Sequence, residues 1–497
     1  MTSGQDWLAR SSAFKVDNRP VIGGIRVSSQ SAAVVECVSP ATGEVLHELP
    51  VGSVADVESA VNGARSSFES GAWSELSPFV RKLLLMRLAD AIDRNCEDLA
   101  LCDSLEMGKP ITLALGDAAA AGHIFRYYAE FADKVYSSAA VCGPHLTQYG
   151  RREPRGVIAA IVAWNYPLPN AAMKLAPALA AGNSVVLKPS ELSPSSALRL
   201  AELALEAGIP PGVLNVVPGQ GSTVGAALAA HAGVDFIAFT GSSATGRRLM
   251  SLAAEGLKPL QLECGGKSPT IVFADCKDLA VVADDAAKRI FDNQGQLCVA
   301  GTRLVTHKSI KEQLVTLIID RAKSYRVGHP LDPATTYGPL ASRSRMESVL
   351  GHVRAGVSGG ATLRFGGRRP PDQKDGFFVE PTVFDEVTPN MRLAQDDIFG
   401  PVLSVMSFET VDDAIAIANG TPYGLSATAW TRDTEVATEV IRRLKVGRVS
   451  VLSSPPNPAA IAFPLSAEPF GQSGFGFEAG REGLEVYTRL KAVELHA

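Results

Sequence analysis

Gly156-Val-Ile-Ala-Ala-Ile-Val162, Asn183-Ser-Val-Val-Leu187, Val213-Leu-Asn-Val-Val217 and Phe236-Ile-Ala-Phe-Thr240 are four short, nearly continuous apolar runs. Strands that are hidden on both faces read this way, because neither side of the pleat meets water. Between them lie stretches of helical pattern, Asn170–Ala181, Ala197–Ala207 and Thr223–Ala230. Ser193-Pro194 has the form of an N-cap with proline in the first helical turn. Strand alternating with helix at this spacing predicts an α/β fold with a parallel sheet covered on both faces. Ligands of such sheets bind beyond the carboxyl ends of the strands. The loops at 164–170, 188–191, 218–221 and 241–246 are therefore expected to converge.

Working outward, residues 1–60 alternate β-prone pieces such as Val34–Val38 with turns, and Val54 to Tyr136 is helical in pattern. Residues 136–155 read as an irregular or extended arm. After Gly266 the strand–helix theme returns, with strands expected at Thr270–Phe273, Thr302–Thr306 and Val402–Phe408 and helices at Leu279–Phe291 and Lys311–Lys323. A second α/β domain is the simplest account, since 497 residues exceed the size at which one core stops growing, about 250–300. Gly359–Pro371 and Pro455–Pro464 read as loops. The net charge of -5 and the absence of a long basic run argue against a nucleic-acid surface. No apolar run approaches a membrane span, and even the Ala-rich 171–181 contains Lys174. Seven scattered cysteines, none in a zinc-like spacing, read as reduced thiols, and no signal-peptide core is seen at Met1 to Lys15. A cytoplasmic enzyme is expected. The eight histidines are dispersed and no metal site is expected.

Several stretches could carry chemistry. Phe239-Thr-Gly-Ser-Ser-Ala-Thr-Gly246 joins a strand to a helix and suits either a bound pyrophosphate or an ordinary turn. Gly219-Gln-Gly221 is a weaker signal of the same kind. Lys188-Pro-Ser-Glu191, at a strand end, could grip ribose hydroxyls or form a solvated turn. Cys298, in Asn293-Gln-Gly-Gln-Leu-Cys298, has flexible backbone and amide groups around it, a setting for an exposed thiolate; most cysteines are inert core residues. Glu263 beside two glycines could be a general base or a solvated turn residue. Asn165, in Trp164-Asn-Tyr-Pro167, could stabilise an oxyanion or make an Asx turn.

Taken in order, these pieces resemble the aldehyde dehydrogenase superfamily from about residue 20 to the carboxyl terminus. The matching stretches are Trp164-Asn-Tyr-Pro-Leu, Gly182-Asn-Ser-Val-Val-Leu-Lys-Pro-Ser-Glu191, Phe239-Thr-Gly-Ser, Glu263-Cys-Gly-Gly-Lys-Ser-Pro269, Asn293-Gln-Gly-Gln-Leu-Cys298 and Ile398-Phe-Gly-Pro401. The resemblance implies two Rossmann-like α/β domains and a β-rich oligomerisation arm. Residues 1–131 and 150–264 would form the NAD-binding domain, 265–464 the catalytic thiol domain, and 132–149 with 465–497 the arm of a homodimer or homotetramer. It implies Cys298 as nucleophile, Asn165 and the Cys298 N–H as oxyanion donors, and Glu263 as the base for thioester hydrolysis. The cofactor would lie along Ile161, Trp164, Gly221 and Gly246. Lys188 and Glu191 would hold the adenosine ribose, Gly241 and Ser242 the pyrophosphate, with Asp397 and Phe399 nearer the nicotinamide. Glu191 favours NAD over NADP, because a carboxylate repels a 2′-phosphate, though NADP stays possible.

The likeness is greatest to bacterial dehydrogenases of ω-amino or γ-glutamylamino aldehydes, which places Tyr166, Asn170, Met173, Asp292, Leu297 and Phe470 beside the substrate. Asp292 could draw in a cationic amino-aldehyde or be a solvated helix-end acid. Three features depart from the family's pattern. Asp397 stands where Glu is usual, Pro469-Phe-Gly471-Gln-Ser-Gly474 is three residues short, and Val449-Ser-Val-Leu452 lacks the usual Asn. Asp397 and the short tail motif keep a non-catalytic relative in view. A relative that passes the acyl group to coenzyme A is a second alternative, and the presence of Glu263 argues against it, since hydrolysis needs a base.

Overall fold

A computed structural model describes residues 6–142, 145–456 and 465–496. Its first sheet has eight strands, in the order Ile25–Arg26, Val21–Ile22, Leu214–Val216, Ser184–Lys188, Val157–Ile161, Phe236–Thr240, Leu260–Glu263 and Gly474–Phe475. The five central strands are parallel, and the outer pieces run antiparallel. Val157–Ile161 and Ser184–Lys188 are buried at every position, as their unbroken apolar runs require. From Val157–Ile161 the chain first winds toward Leu214–Val216, then returns to place Phe236–Thr240 on the other side. That reversal opens a crevice between Val157–Ile161 and Phe236–Thr240, at their carboxyl ends.

The second sheet has seven strands, in the order Thr362–Phe365, Thr382–Asp385, Val402–Phe408, Arg303–His307, Pro269–Val272, Ser426–Trp430 and Arg448–Leu452. All pair in parallel except Thr362–Phe365. This edge strand lies within the stretch expected to be loop; pairing with Thr382–Asp385 orders it despite its flanking glycines. Antiparallel pairing of Thr488–His496 with Leu146–Pro154, and of that strand with Ala139–Val141, makes a third, three-stranded sheet from the expected arm. Two separate apolar cores serve the first sheet and two the second.

Helices Leu279–Phe291 and Lys311–Lys323 have the expected bounds. Elsewhere local chemistry shifts the ends. The helix expected at Ala197 begins at Ser195, where Glu106 from a distant helix accepts the Ser195 N–H at 3.1 Å. Ser193 is therefore not its cap; its hydroxyl donates to the Trp164 carbonyl at 3.3 Å. The helix expected at Thr223–Ala230 opens with one π-type turn, Gly221–Gly225, before Ala226–Ala230. Residues 457–464 of the expected Pro455–Pro464 loop lie outside the described residues.

Candidate active site

The thiol is set by a backbone that only certain residues tolerate. Helix Leu279–Phe291 ends, and Asn293, Gln294 and Gly295 follow with φ of 50°, 55° and 69°. Left-handed conformations cost a residue with a Cβ about 1–3 kcal/mol. Asn accepts them most readily, and at Gly295 a Cβ would lie 2.3 Å from the Gly400 carbonyl oxygen. The Asn-Gln-Gly run thus reverses the chain tightly and delivers Leu297 and Cys298 to a cavity of about 730 Å³.

The opposite wall comes from the switch-point crevice. Asn165 is 4% exposed, and its Nδ2 donates to the Gln296 carbonyl at 3.0 Å. Its Oδ1 accepts from Asn170 Nδ2 at 3.2 Å, while Asn293 Nδ2 donates to the Asn165 carbonyl at 3.1 Å. These bonds tie the asparagine to the backbone that carries the thiol. One Nδ2 hydrogen is left for a ligand, since a side-chain amide has two. Tyr166 is held from behind by Lys109, whose Nζ lies 3.4 Å from the ring centroid and also pairs with Asp117. Trp164, Asn170, Met173, Gly241 and Ser242 line the same cavity, as do Asp397 and Phe399. Trp164 and Phe399 meet edge-on at 5.4 Å.

Glu263 reaches the cavity from the end of strand Leu260–Glu263, and its Oε1 is buried without a partner. Burial, then the Glu478 carboxylate, raises its pKa well above the carboxylate range, while Lys174 and Arg448 oppose that shift. Burial, reinforced by Glu263, Glu478 and Asp397, likewise pushes the Cys298 thiol up to about 12. Asp397 is raised by burial, with Lys267 and Arg345 opposing, and Lys267 is pushed down to about 7 by burial. Lys267 Nζ is buried and makes no hydrogen bond. Of these atoms Glu263 Oε1 belongs to a cavity-lining residue, and an unsatisfied oxygen there suits a polar ligand group.

Other expected residues fall elsewhere. Glu191 and Gly221 line a second cavity, of about 500 Å³. Lys188 is buried behind them, donating to the Pro189 carbonyl at 2.9 Å and pairing with Glu191 at 3.3 Å. Ile161 is buried in its strand, and Gly246 packs under Cys264, where a Cβ would lie 3.0 Å from Sγ. Asp292 is not among the residues lining the main cavity; its Oδ1 accepts the Tyr325 hydroxyl at 2.9 Å. Phe470 also stays out, 50% exposed in a strand paired with Tyr423–Gly424.

The structure adds residues that motif reading passed over. Lys174 is fully buried, donates to Gln261 Oε1 at 3.1 Å and pairs with Glu478. A lone lysine in an alanine-rich helix was the available signal, because such a charge needs a buried partner. The shortened tail is also part of the site. Gln472 lines the cavity, and Ser473 Oγ donates to the Gly265 carbonyl at 2.8 Å while accepting the Gly424 N–H. Arg345 and His352 reach the cavity from helix Arg343–Ser358.

Residues 26–493 match the Aldehyde dehydrogenase family. The NADP/NAD-dependent aldehyde dehydrogenase PuuC of Escherichia coli is 44% identical over 98% of this chain and 97% of its own. Among solved structures, an indole-3-acetaldehyde dehydrogenase complexed with NAD+ superposes with a TM-score of 0.96 at 44% identity, covering 99% of both chains. A gamma-glutamyl-gamma-aminobutyraldehyde dehydrogenase from Burkholderia cenocepacia gives 0.95 at 43%, again over 99% of each.

Proposed function

The chain belongs to the aldehyde dehydrogenase family and oxidises aldehydes to carboxylic acids with NAD(P)+, and from that premise we propose that Cys298, Asn165 and Glu263 carry the reaction. The supporting observation is that one cavity holds a thiol, an unspent amide hydrogen and an unpartnered carboxyl oxygen. Cys298, once deprotonated, adds through Sγ to the aldehyde carbon. The resulting oxyanion takes hydrogen bonds from Asn165 Nδ2 and the Cys298 N–H. NAD(P)+, when bound, supplies the acceptor for the hydride lost from the thiohemiacetal carbon. The acyl group then remains on sulfur as a thioester. Glu263 takes a proton from water as that water attacks the thioester, and the acid leaves with the thiol restored.

The residues fit the cofactor in two parts. Asp397 lines the main cavity and suits nicotinamide-ribose hydroxyls. Gly241 and Ser242, which open helix Ser243–Ala254, suit the pyrophosphate. The second cavity, with Glu191 at its wall, suits the adenosine. In domain terms, the first sheet is the cofactor domain, the second carries the thiol, and the three-stranded sheet is the self-association arm. Asp292 accepts the Tyr325 hydroxyl and does not line the main cavity, so a cationic tail has no carboxylate from it there. Ile124, Tyr166, Pro169 and Met173, with Asn170 the polar member, favour an aldehyde with a neutral apolar or amide-bearing tail. No helix among the described residues is long and apolar enough to cross a membrane, and all seven cysteines are free. Both suit work in a reducing aqueous compartment.

The test is NADH and NADPH formation with propanal, benzaldehyde, 4-aminobutanal and its N-acylated form, in the natural protein and in Cys298→Ala. Turnover should vanish in the variant. The neutral amide should outrank the free amine. Residual turnover in Cys298→Ala would remove the thiol from the mechanism.

A further inference from the structure

Helix Ser243–Ala254 presents Thr245, Arg248, Leu249 and Leu252 to the second cavity. Their spacing of i, i+3, i+4 and i+7 is a single helical stripe, the kind that normally stays apolar against a nucleobase or a core. Leu249 and Leu252 obey that rule, Thr245 departs from it mildly, and Arg248 puts a full charge into it. On the facing wall stand Glu191 and Gly221. Glu191 is not an uncompensated charge, because buried Lys188 pairs with its Oε2 at 3.3 Å. Arg248 forms no ion pair or side-chain hydrogen bond among the described residues. Lys188 and Glu191 cancel, so the cavity is left with one unspent guanidinium, in a lining that also includes Ser222.

A guanidinium in that state is matched to a phosphate monoester, which it can hold through two parallel N–H···O bonds. We infer that Arg248 binds the 2′-phosphate of NADP+ and is thereby the residue that sets how strongly NADP+ binds relative to NAD+, although Glu191 lines the same pocket. The inference rests on reading the second cavity as the adenosine pocket. Repulsion from the Glu191 carboxylate is blunted by Lys188 and offset by Arg248. Because Arg248 is exposed, the attraction is weakened by salt.

The decisive measurement is calorimetric binding of NAD+, NADP+, 5′-AMP and 2′,5′-ADP to the full chain and to Arg248→Gln. Loss of about tenfold or more in affinity for NADP+ and 2′,5′-ADP is expected, with NAD+ and 5′-AMP changed less than about twofold. Arg248→Lys should recover part of the loss. Equal losses for phosphorylated and unphosphorylated nucleotides, or no loss at all, would overturn the role of Arg248. The pocket itself is tested apart from Arg248. A Cβ at Gly221 meets nothing within 4 Å, and its φ lies outside the left-handed region, so Gly221→Phe can enter the cavity without backbone strain. That variant should lose NAD+ and NADP+ alike. If it binds NAD+ unchanged, the adenosine reading falls, and the inference with it.

Discussion

At Glu263 the carboxyl oxygen Oε1 is buried and has no partner, and the residue lines the same cavity as Cys298. Burial and the Glu478 charge hold its proton on well above the ordinary carboxylate range. The sign follows directly. A base must be deprotonated, so the fraction able to activate water grows as pH rises, and the thiol, pushed up to about 12, adds to the same alkaline trend. Steady-state kcat should therefore climb through the neutral and alkaline range in the natural protein. In Glu263→Gln it should fall by about 10²–10⁴, the usual worth of a positioned base. The first turnover should survive as a burst of one NADH per site. Stopped-flow absorbance reads both, and a variant with unchanged kcat and pH profile would dismiss Glu263 as the base. At this scale the sequence was most informative where a residue's surroundings are local. Cys298, Glu263 and Asn165 sit in short stretches whose glycines and amides hint at their setting, and the structure brings all three to one cavity. Asp292 was less legible. Its helix ends and a left-handed turn follows at once, leaving the carboxylate on the Tyr325 side, which no periodicity along the chain reveals.

Among elements, the helix Pro167–Ala180 links the site to the tail. Lys174, on its buried side, pairs with Glu478 beyond the strand Gly474–Phe475, while Gln261 on the strand leading to Glu263 accepts from the same ammonium. The tail residues close this joint, since Ser473 Oγ donates to the Gly265 carbonyl and the Cys264 N–H donates to the Ser473 carbonyl at 2.9 Å. Removing the cation by Lys174→Met leaves Glu478 without its partner in a partly buried position. Breaking buried pairs costs about 3–5 kcal/mol; Glu478 retains some access to water, so the low end, about 3 kcal/mol, is expected. The positive charge also opposes the upward shift at Glu263. The alkaline limb of kcat should thus move to higher pH as Tm falls. Thermal unfolding and a pH profile measure the two, and a variant with unmoved Tm and limb would show that the pair is incidental. Elements built from continuous apolar runs fall where expected, Phe236–Thr240 with the same bounds and Val157–Ile161, Ser184–Lys188 and Leu214–Val216 shifted by one residue at their ends, because burial defines them. Those set by distant partners do not, as the Glu106 cap on Ser195 illustrates.

At the scale of the molecule, the strand Thr488–His496 pairs along all nine of its residues with Leu146–Pro154 yet leaves most of its side chains in water. Leu490 and Leu495 are exposed at 60% and 54%. It is also the outermost strand of its sheet, with one row of backbone groups unpaired. Long edges of this kind are liabilities that proteins blunt with charge, bulges or a covering element. Here Arg489, Lys491 and Glu494 supply charge, yet Leu490 and Leu495 stay exposed beside them, which fits a surface covered by another copy of the chain. The pairing within one chain is extensive enough that a single surface charge should not unfold it. Leu495→Glu should then leave Tm within about 0.5 kcal/mol of equivalent stability, the usual range for surface changes. The same change would place a carboxylate against the partner, a site where burying an unpaired charge costs several kcal/mol. Light scattering on a sizing column should show the natural protein at a multiple of the chain mass, and the variant shifted toward a single chain at micromolar concentration. If the natural protein already runs as one chain, the exposed strand is not a self-association surface, and the arm stabilises only the subunit that carries it.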